Sequence, residues 1–335
     1  MHQRITWIDM ARGLAMMAIL LFHTEVYYTG DSLIPYGMYV EDALALFFFI
    51  SGYLFAPPGR AFSARHKLRS VSRRLVVPYA LFCLAMALPK AVAHGSAIDV
   101  ATVLKPILSG DASWFVAAIV VAEVYYTGAT AAARRMACGH GARLAATTML
   151  AIVPFVLHLW VGGQMWHTVL GAAAMALVFM HAGHVSAWIG RSDTVRKPAL
   201  RHDGAARGLW LPAVSAVALA ALKVYENATD AHLVFYYIDI SSYPLFMADC
   251  LLACITVTAI CRWLPGRWLG AICWTGRHSL PMYFLSGAIP FAVARVLPAY
   301  NGCYIMVLVA FGMVWALAAA SAWAVYRYLP WAVGG

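Results

Sequence analysis

Long apolar stretches recur along the whole chain, each near the length of about 20 residues that an α-helix needs to cross a bilayer. Because lipid offers the backbone no hydrogen-bond partner, such a chain is restricted to membrane-spanning helices. Hydrophobic residues make up 63% of the sequence and charged residues 11%, which excludes an ordinary soluble enzyme, a nucleic-acid-binding domain and a secreted disulfide scaffold. The pattern predicts an all-α fold, a polytopic membrane bundle of about ten transmembrane helices. The predicted spans are 5–29, 41–57, 75–94, 112–132, 144–161, 167–188, 209–226, 244–261, 278–297 and 303–326.

The distribution of charge predicts the orientation of the bundle. Most of the 24 Lys and Arg residues fall in alternate loops, above all in segments 58–74 and 189–208, whereas acidic residues gather in the other loops. Because basic residues accumulate in cytoplasmic loops, both the N-terminus and the C-terminus are predicted to be cytoplasmic. The net charge of +10 then reflects topology, and no nucleic-acid partner is expected. The basic residues placed on the inner side include Arg4, Arg60, Lys197 and Arg201.

The chain is predicted to form a single domain, 1–335, because no polar segment between spans is long enough to enclose a core of its own. We expect a multi-pass protein of the inner (cytoplasmic) membrane, with membrane lipids as partners. Lys223 is predicted at an outer helix end, where a long side chain snorkels to the headgroups. Segment 227–243 fits an interfacial or re-entrant piece as well as a loop. His181 and His184 are interpreted as structural or headgroup-binding, and no metal site is predicted.

The first span carries four ionisable residues, namely Asp9, Arg12, His23 and Glu25. Ionisable groups inside an apolar span are unfavourable unless they face a cavity or a partner, so each is a candidate site residue. Arg12 and His23 are eleven residues apart, which places them within about 20° of one helix face and about 16 Å apart across the membrane. Arg12 snorkelling to the headgroups and His23 filling a core position would explain each residue alone, but the shared stripe favours a functional channel.

Three further features are candidates. Ser51 and Gly52 form a small pair that allows close helix packing and supplies a hydroxyl group. The basic run that follows, up to Arg74, suits either anionic lipid or the phosphates of a nucleotide. Glu123 and Asp249 are acids inside predicted spans, where they either line an acceptor path or pair with a basic residue that the sequence does not identify.

Several short motifs, in this order and over nearly the whole chain, resemble the acyltransferase-three family of integral membrane O-acyltransferases, and more closely its fucose 4-O-acetylase-like branch. Each motif is weak alone, but their order and spacing are specific together. They are Ile-Asp-Met-Ala-Arg-Gly-Leu-Ala at 8–15 followed by His23, Phe-Phe-Phe-Ile-Ser-Gly at 47–52, Ser-Arg-Arg-Leu-Val-Val-Pro-Tyr at 72–79, Ser-Trp-Phe at 113–115 and Gly-Arg-His-Ser-Leu-Pro-Met-Tyr at 276–283.

The resemblance implies transfer of an acetyl group from cytoplasmic acetyl-CoA, a donor substrate rather than a permanently bound cofactor, to a hydroxyl group of a cell-envelope glycan or glycan precursor. It implies that His23 is the catalytic imidazole and that Arg12, Arg73 and Arg74 bind the donor. Guanidinium suits phosphate, and a neutral imidazole can accept a hydroxyl proton. We group Ser51 with the donor site. The acceptor-side or supporting candidates are Asp9, Glu25, Trp114 and Glu123.

Two mechanisms remain open at this point, because His23 can act as a general base or can carry the acetyl group covalently. The chain also departs from the family pattern, since Ser286 follows the last motif where many relatives have His, which leaves the acceptor sugar open. The main alternative function is a secondary transporter or flippase for a glycan or lipid-linked sugar, with the buried charges as its pathway. The oligomeric state is likewise left open.

Overall fold

The computed structural model describes residues 5–55, 62–94, 99–137, 139–161, 168–196, 204–235, 238–264 and 266–334. Arg4, Arg60, Lys197 and Arg201, which the sequence places on the cytoplasmic side, lie outside these ranges. The described helices are α1 Thr6–Thr29, α2 Val40–Tyr53, α3 Ala64–Val71, α4 Val77–His94, α5 Val100–Ser109, α6 Trp114–Met136, α7 His140–Trp160, α8 Thr168–Arg196, α9 Gly204–Ala228, α10 Tyr243–Trp263, α11 Gly270–Arg277, α12 Ser279–Leu285, α13 Ala288–Val296 and α14 Tyr304–Tyr328.

The predicted membrane bundle of helices is confirmed, and helix occupies each of the ten predicted spans. Six described helices are long and apolar enough to cross a bilayer, and the bent pair of α12 and α13 makes a seventh if it is one span. The count of ten therefore stays a prediction, as does the side on which the termini lie. Helices α1 and α2 are not among these seven candidate spans. Helix α2 has only 14 residues, and α1 carries four ionisable residues.

The predicted span 278–297 is not one straight helix, because α12 and α13 meet at 57°. The chemical reason lies at Pro290, which has no N–H group to donate to the carbonyl of Ser286 and whose ring crowds that carbonyl. The Ser286 hydroxyl donates to the carbonyl of Tyr283 (2.7 Å) and so closes the end of α12. A proline at this position therefore turns the predicted span into two short helices.

Helix α1 packs at the centre of the bundle, against α2, α10, α11, α13 and α14. Its closest neighbour is α11, because glycines on both helices remove the side chains that would keep the backbones apart. A Cβ atom on Gly13 would collide with the carbonyl of Ile272, and one on Gly276 would collide with the carbonyl of Asp9. The same device joins α2 to α8, where Gly52 and Gly183 each face the other helix's backbone. The close packing predicted for Gly52 is thus confirmed.

Segment 227–243 contains a two-stranded antiparallel hairpin, β1 Leu233–Val234 and β2 Asp239–Ile240. Residues 236 and 237 lie outside the described ranges. Phe235, next to β1, is fully buried, and its ring contacts the rings of Phe48, Trp114, Phe179 and Phe246. The hairpin therefore inserts an aromatic side chain into the helical core, which agrees better with a re-entrant piece than with a surface loop.

Candidate active site on the first helix

The N-terminal end of the candidate site lies where α1 meets α11. The Asp9 carboxylate accepts a charge-assisted hydrogen bond from Nε of Arg277, with 2.8 Å between the atoms. Arg277 belongs to the last sequence motif and Asp9 to the first, so the fold joins two motifs that lie 268 residues apart. The sequence marks Arg277 as part of a motif but gives it no partner. Its hydrogen bond to Asp9 is visible only in the tertiary structure.

Arg12 lies one turn further along α1 and has no such partner. Its Nε–H group is buried and donates to no acceptor, and within the described residues its guanidinium forms no hydrogen bond or salt bridge. Asp9 and Tyr326 are near enough to act on its charge. Buried guanidinium nitrogens in proteins normally donate to an acceptor, so the unpaired Nε of Arg12 is consistent with a place for an anionic ligand.

An aromatic wall lies beside these charges. The His278 ring stacks on Trp274, with 4.0 Å between the ring centroids, and meets Tyr326 edge-on at 4.5 Å. His278 Nδ1 lies 2.8 Å from the Trp274 carbonyl oxygen, which fixes the ring at the end of α11. The tyrosine hydroxyl in turn donates to the Arg277 carbonyl (3.4 Å). The wall and the α1–α11 contact thus form one structural unit at this end of the bundle.

His23 lies on the same helix, eleven residues beyond Arg12. Its side chain is partly exposed, and its ring contacts are with Phe22 (5.4 Å between centroids) and Tyr27 (6.3 Å). Among the described residues, no side chain or carbonyl hydrogen-bonds to the imidazole. The ring nitrogens are therefore available to a ligand, and no carboxylate of the described residues orients the imidazole.

Glu25 is fully buried and makes its contacts away from His23. One carboxylate oxygen accepts from the Tyr304 hydroxyl (2.7 Å), and the other accepts from the Ile34 N–H (3.3 Å) and the Tyr39 hydroxyl (3.5 Å). Burial, together with the Glu25 carboxylate, raises the pKa of the Tyr39 phenol, so this hydroxyl stays protonated and keeps donating. These contacts join the α1–α2 connection and the start of α14 to α1.

Ser51 and Glu123, which the sequence assigns to opposite ends of the site, lie in one cluster. The Ser51 hydroxyl donates to the Glu123 carboxylate, whose other oxygen is 2.8 Å from Nζ of Lys67. Lys67 also lies over the ring of Phe55, 4.7 Å from its centroid. Sequence reasoning missed Lys67 as a site residue, although it lies in the basic run. The cluster ties α2, α3 and α6 together.

Arg73 and Arg74 have exposed side chains and lie in a π-helical turn, Ser72–Val76, between α3 and α4. No hydrogen bond or salt bridge joins either to the part of the chain that the structure describes. Gly334, close to the C-terminus, packs beside them. Trp114 opens α6 and is partly buried against Phe115 and Phe235. Among the described residues, no hydrogen bond, ion pair or ring contact joins Arg73, Arg74 or Trp114 to Arg12 or His23.

Asp249 has a basic partner, which is Lys223. The Lys223 ammonium lies 2.5 Å from Asp249, 3.1 Å from Asp42 and 3.7 Å from Glu226, and it donates to the Gly37 carbonyl (2.8 Å). Lys223 is only 7% exposed, so the prediction that it snorkels to the headgroups is wrong. Three carboxylates, of which those of Glu226 and Asp249 are buried, attract the ammonium inward.

One group of side chains near this cluster has the composition of a metal site. Asp42, Asp249 and Cys250 each place a ligand atom within 4.8 Å of the other two. The Lys223 ammonium, however, contacts both carboxylates and already supplies the positive charge. Ion pairing explains the cluster, and we assign no metal to it.

His181 and His184 share the hydroxyl of Tyr126, at 2.9 and 2.8 Å from their Nδ1 atoms, and His181 Nε2 is 2.8 Å from the Thr148 hydroxyl. The Thr148 hydroxyl donates to the Leu144 carbonyl. This chain of hydrogen bonds connects α6, α7 and α8, in agreement with a structural role for both histidines.

Comparison with known proteins gives one match. A family model described as an acyltransferase domain matches residues 5–327, which is nearly the whole chain. The match does not distinguish the fucose 4-O-acetylase-like branch from other branches of the family. Neither the curated proteins nor the solved structures contain a match to this chain.

Proposed function

Because this chain belongs to the acyltransferase-3 family, we propose that it is an O-acetyltransferase of the inner (cytoplasmic) membrane. In this proposal an acetyl group passes from cytoplasmic acetyl-CoA to a hydroxyl group of an extracytoplasmic glycan or glycan precursor. The family match makes the chain a multi-pass membrane acyltransferase; the donor, the acceptor and the role of His23 are the proposal. The match also favours an acyltransferase over a transporter or flippase.

The observation that carries the proposal is the pairing of two unsatisfied groups on one unbroken helix. Arg12 and His23 both lie on α1, and neither side chain hydrogen-bonds to another described residue. Eleven residues bring the two to within about 20° of one helix face, at an axial separation of about 16 Å. One helix thus offers a cation toward one side of the membrane and an imidazole deeper inside, as a reaction between two compartments requires.

The donor end of the site is assigned by charge. The Arg12 guanidinium can form paired hydrogen bonds with two oxygens of a phosphate, and no acceptor among the described residues occupies these donors. The exposed Arg73 and Arg74 add positive charge where a polyanionic donor would approach. Ser51 is held by Glu123, so it acts on the donor through the packing of α2 rather than as a free hydroxyl.

The chemical step is assigned to His23. As a general base, the imidazole accepts the proton of the acceptor hydroxyl while the hydroxyl oxygen attacks the thioester carbonyl. The carbon–sulfur bond then breaks, and the CoA thiolate leaves and is protonated. As a nucleophile, the imidazole attacks the thioester carbonyl, the carbon–sulfur bond breaks, and the CoA thiolate leaves and is protonated. The acceptor hydroxyl oxygen then attacks the acetyl group on the imidazole, the carbon–nitrogen bond breaks, and the released imidazole takes up the hydroxyl proton. Because no described carboxylate contacts the ring, both routes begin from an imidazole oriented by packing alone.

The test uses purified protein in lipid nanodiscs or proteoliposomes, with acetyl-CoA labelled in the acetyl group and glycan acceptors added. We expect His23→Ala to lower transfer by at least about a hundredfold, the usual contribution of a positioned acid or base. We expect Arg12→Ala to raise the KM for acetyl-CoA. The control is His232→Ala, which removes an exposed histidine of the hairpin region.

Transfer by His23→Ala at the wild-type rate would refute the role of the imidazole. Failure of the wild-type protein to bind or consume acetyl-CoA would refute the donor assignment. Incubation without acceptor, followed by mass spectrometry, separates the two routes, because only the nucleophilic route leaves an acetyl group on His23.

A further inference from the structure

Three charged side chains meet where α1 packs on α11, but only two of them pair. Asp9 is bonded to Arg277, while the Arg12 guanidinium has no hydrogen-bond partner among the described residues. Side chains three positions apart on a helix are neighbours, so Asp9 and Arg12 are placed to form a salt bridge with each other. The structure shows a different pairing, across two helices and 268 residues of sequence.

This pairing calls for an explanation, because a buried guanidinium nitrogen without an acceptor is destabilising. In the absence of a competitor, Asp9 would rotate toward Arg12 and satisfy it. Arg277 is that competitor. It offers a charge-assisted hydrogen bond at 2.8 Å, and its side chain is 39% exposed, so the carboxylate is held at the edge of the buried region.

The backbone fixes Arg277 in this position. Gly276 lies directly against the Asp9 carbonyl, and Gly13 lies directly against the Ile272 carbonyl, so α11 cannot slide along α1. Helix α11 ends at Arg277, and the stacked His278 and Trp274 close that end. Arg277 therefore leaves the helix beside Asp9 as a direct result of the close packing of α1 on α11.

We propose that Arg277 is a positioning residue that holds Asp9 and thereby keeps the Arg12 guanidinium free for the phosphate groups of acetyl-CoA. The inference rests on the proposed function, since it names the device that prepares the donor end of that site. With Asp9 and Arg277 neutralising each other, the cluster keeps one net positive charge, located on Arg12, for a phosphate. Without Arg277, Asp9 captures Arg12 and the net charge of the trio falls to zero.

The test measures acetyl-CoA affinity by calorimetry, and KM and kcat by labelled transfer, on the full chain in nanodiscs. We expect Arg277→Gln to weaken acetyl-CoA binding by about tenfold or more, as for the loss of one charge-assisted hydrogen bond, with the change in KM and not in kcat. Adding Asp9→Asn to that variant removes the carboxylate that captures Arg12, and we expect affinity to return to within about threefold of wild type.

The matched control is Arg262→Gln on α10. The Arg262 side chain stacks on the Trp7 ring of α1, 4.4 Å from its centroid, but has no salt bridge with Asp9. We expect wild-type affinity from this variant. Should Arg277→Gln not fold, Arg277→Lys applies the same test in milder form, because an ammonium still holds Asp9 but lacks the guanidinium fork. It is expected to weaken binding by less than tenfold, and Asp9→Asn again restores it.

Two results would overturn this inference while leaving the proposed function intact. One is wild-type acetyl-CoA affinity in Arg277→Gln; the other is a double variant, Asp9→Asn/Arg277→Gln, that binds acetyl-CoA no more tightly than Arg277→Gln alone. A purely structural Arg277 would give the latter result, since a second loss at the same contact does not repair packing. Absence of acetyl-CoA binding by the wild-type protein would overturn both proposals together.

Discussion

Replacing Lys223 with methionine should destabilise the bundle more than any other single change of charge in the described residues. Lys223 is the basic group that contacts Asp249, Asp42 and Glu226, at 2.5, 3.1 and 3.7 Å, and it also satisfies the Gly37 carbonyl. Methionine keeps the length and apolar stem of the side chain but leaves the carboxylates uncompensated. Removal of one partner of a buried ion pair costs about 3–5 kcal/mol, which is large against a typical total stability of about 5–15 kcal/mol.

The measurement is the free energy of unfolding in mixed micelles, by denaturing-detergent titration, for Lys223→Met beside Lys105→Met. Lys105 has an exposed side chain, so its change is expected to stay within about 0.5 kcal/mol of wild type. Combining Lys223→Met with Asp249→Asn removes one stranded carboxylate, and we expect about 1–2 kcal/mol to be recovered. A loss below about 1 kcal/mol in Lys223→Met would refute the view that this ammonium holds α9 against α2 and α10.

Three further substitutions test other parts of the structure. Gly276→Ala places a Cβ against the Asp9 carbonyl and should cost about 1–3 kcal/mol of unfolding free energy, whereas Gly128→Ala, with open space around it, should be neutral or stabilising. Phe235→Ala should cost about 3–5 kcal/mol because the ring is fully buried, whereas the exposed Tyr225→Ala should cost little; equal losses would contradict the inserted hairpin. Ser51→Ala frees one oxygen of Glu123 and should lower unfolding free energy by about 1 kcal/mol without abolishing acyl transfer, so complete loss of transfer would place Ser51 in the chemistry instead.

The sequence predicts the bounds of α1 and the helical spacing of Arg12 and His23 well, because helical periodicity is a local property. The apolar stretch 5–29 corresponds to α1, Thr6–Thr29, and the spacing of Arg12 and His23 follows from helix geometry alone. The basic run ending at Arg74 likewise predicts exposed side chains, and those of Arg73 and Arg74 are exposed. Glycine motifs are also readable, since Gly52 and Gly276 lie at close helix contacts.

The partners of charged residues are not predictable in this way. Glu25 binds Tyr304, 279 positions away, and Glu123 binds Ser51, 72 positions away. Lys223 is assigned to the membrane surface by its place near a helix end, yet it lies inside because α2 and α10 bring carboxylates to it. Each of these pairings depends on which helices become neighbours, and hydropathy along the chain carries no such information.

The amino-acid sequence alone determined that this chain lives in a bilayer as a bundle of helices, and that its first helix carries a guanidinium and an imidazole on one face. Both follow from the solvation of apolar stretches and from the period of the α-helix. Only the tertiary structure decided which of these groups remain unpaired. Arg277 pairs with Asp9 and leaves Arg12 without an acceptor among the residues that the structure describes, because the close approach of α11 to α1 sets distances that no sequence spacing encodes.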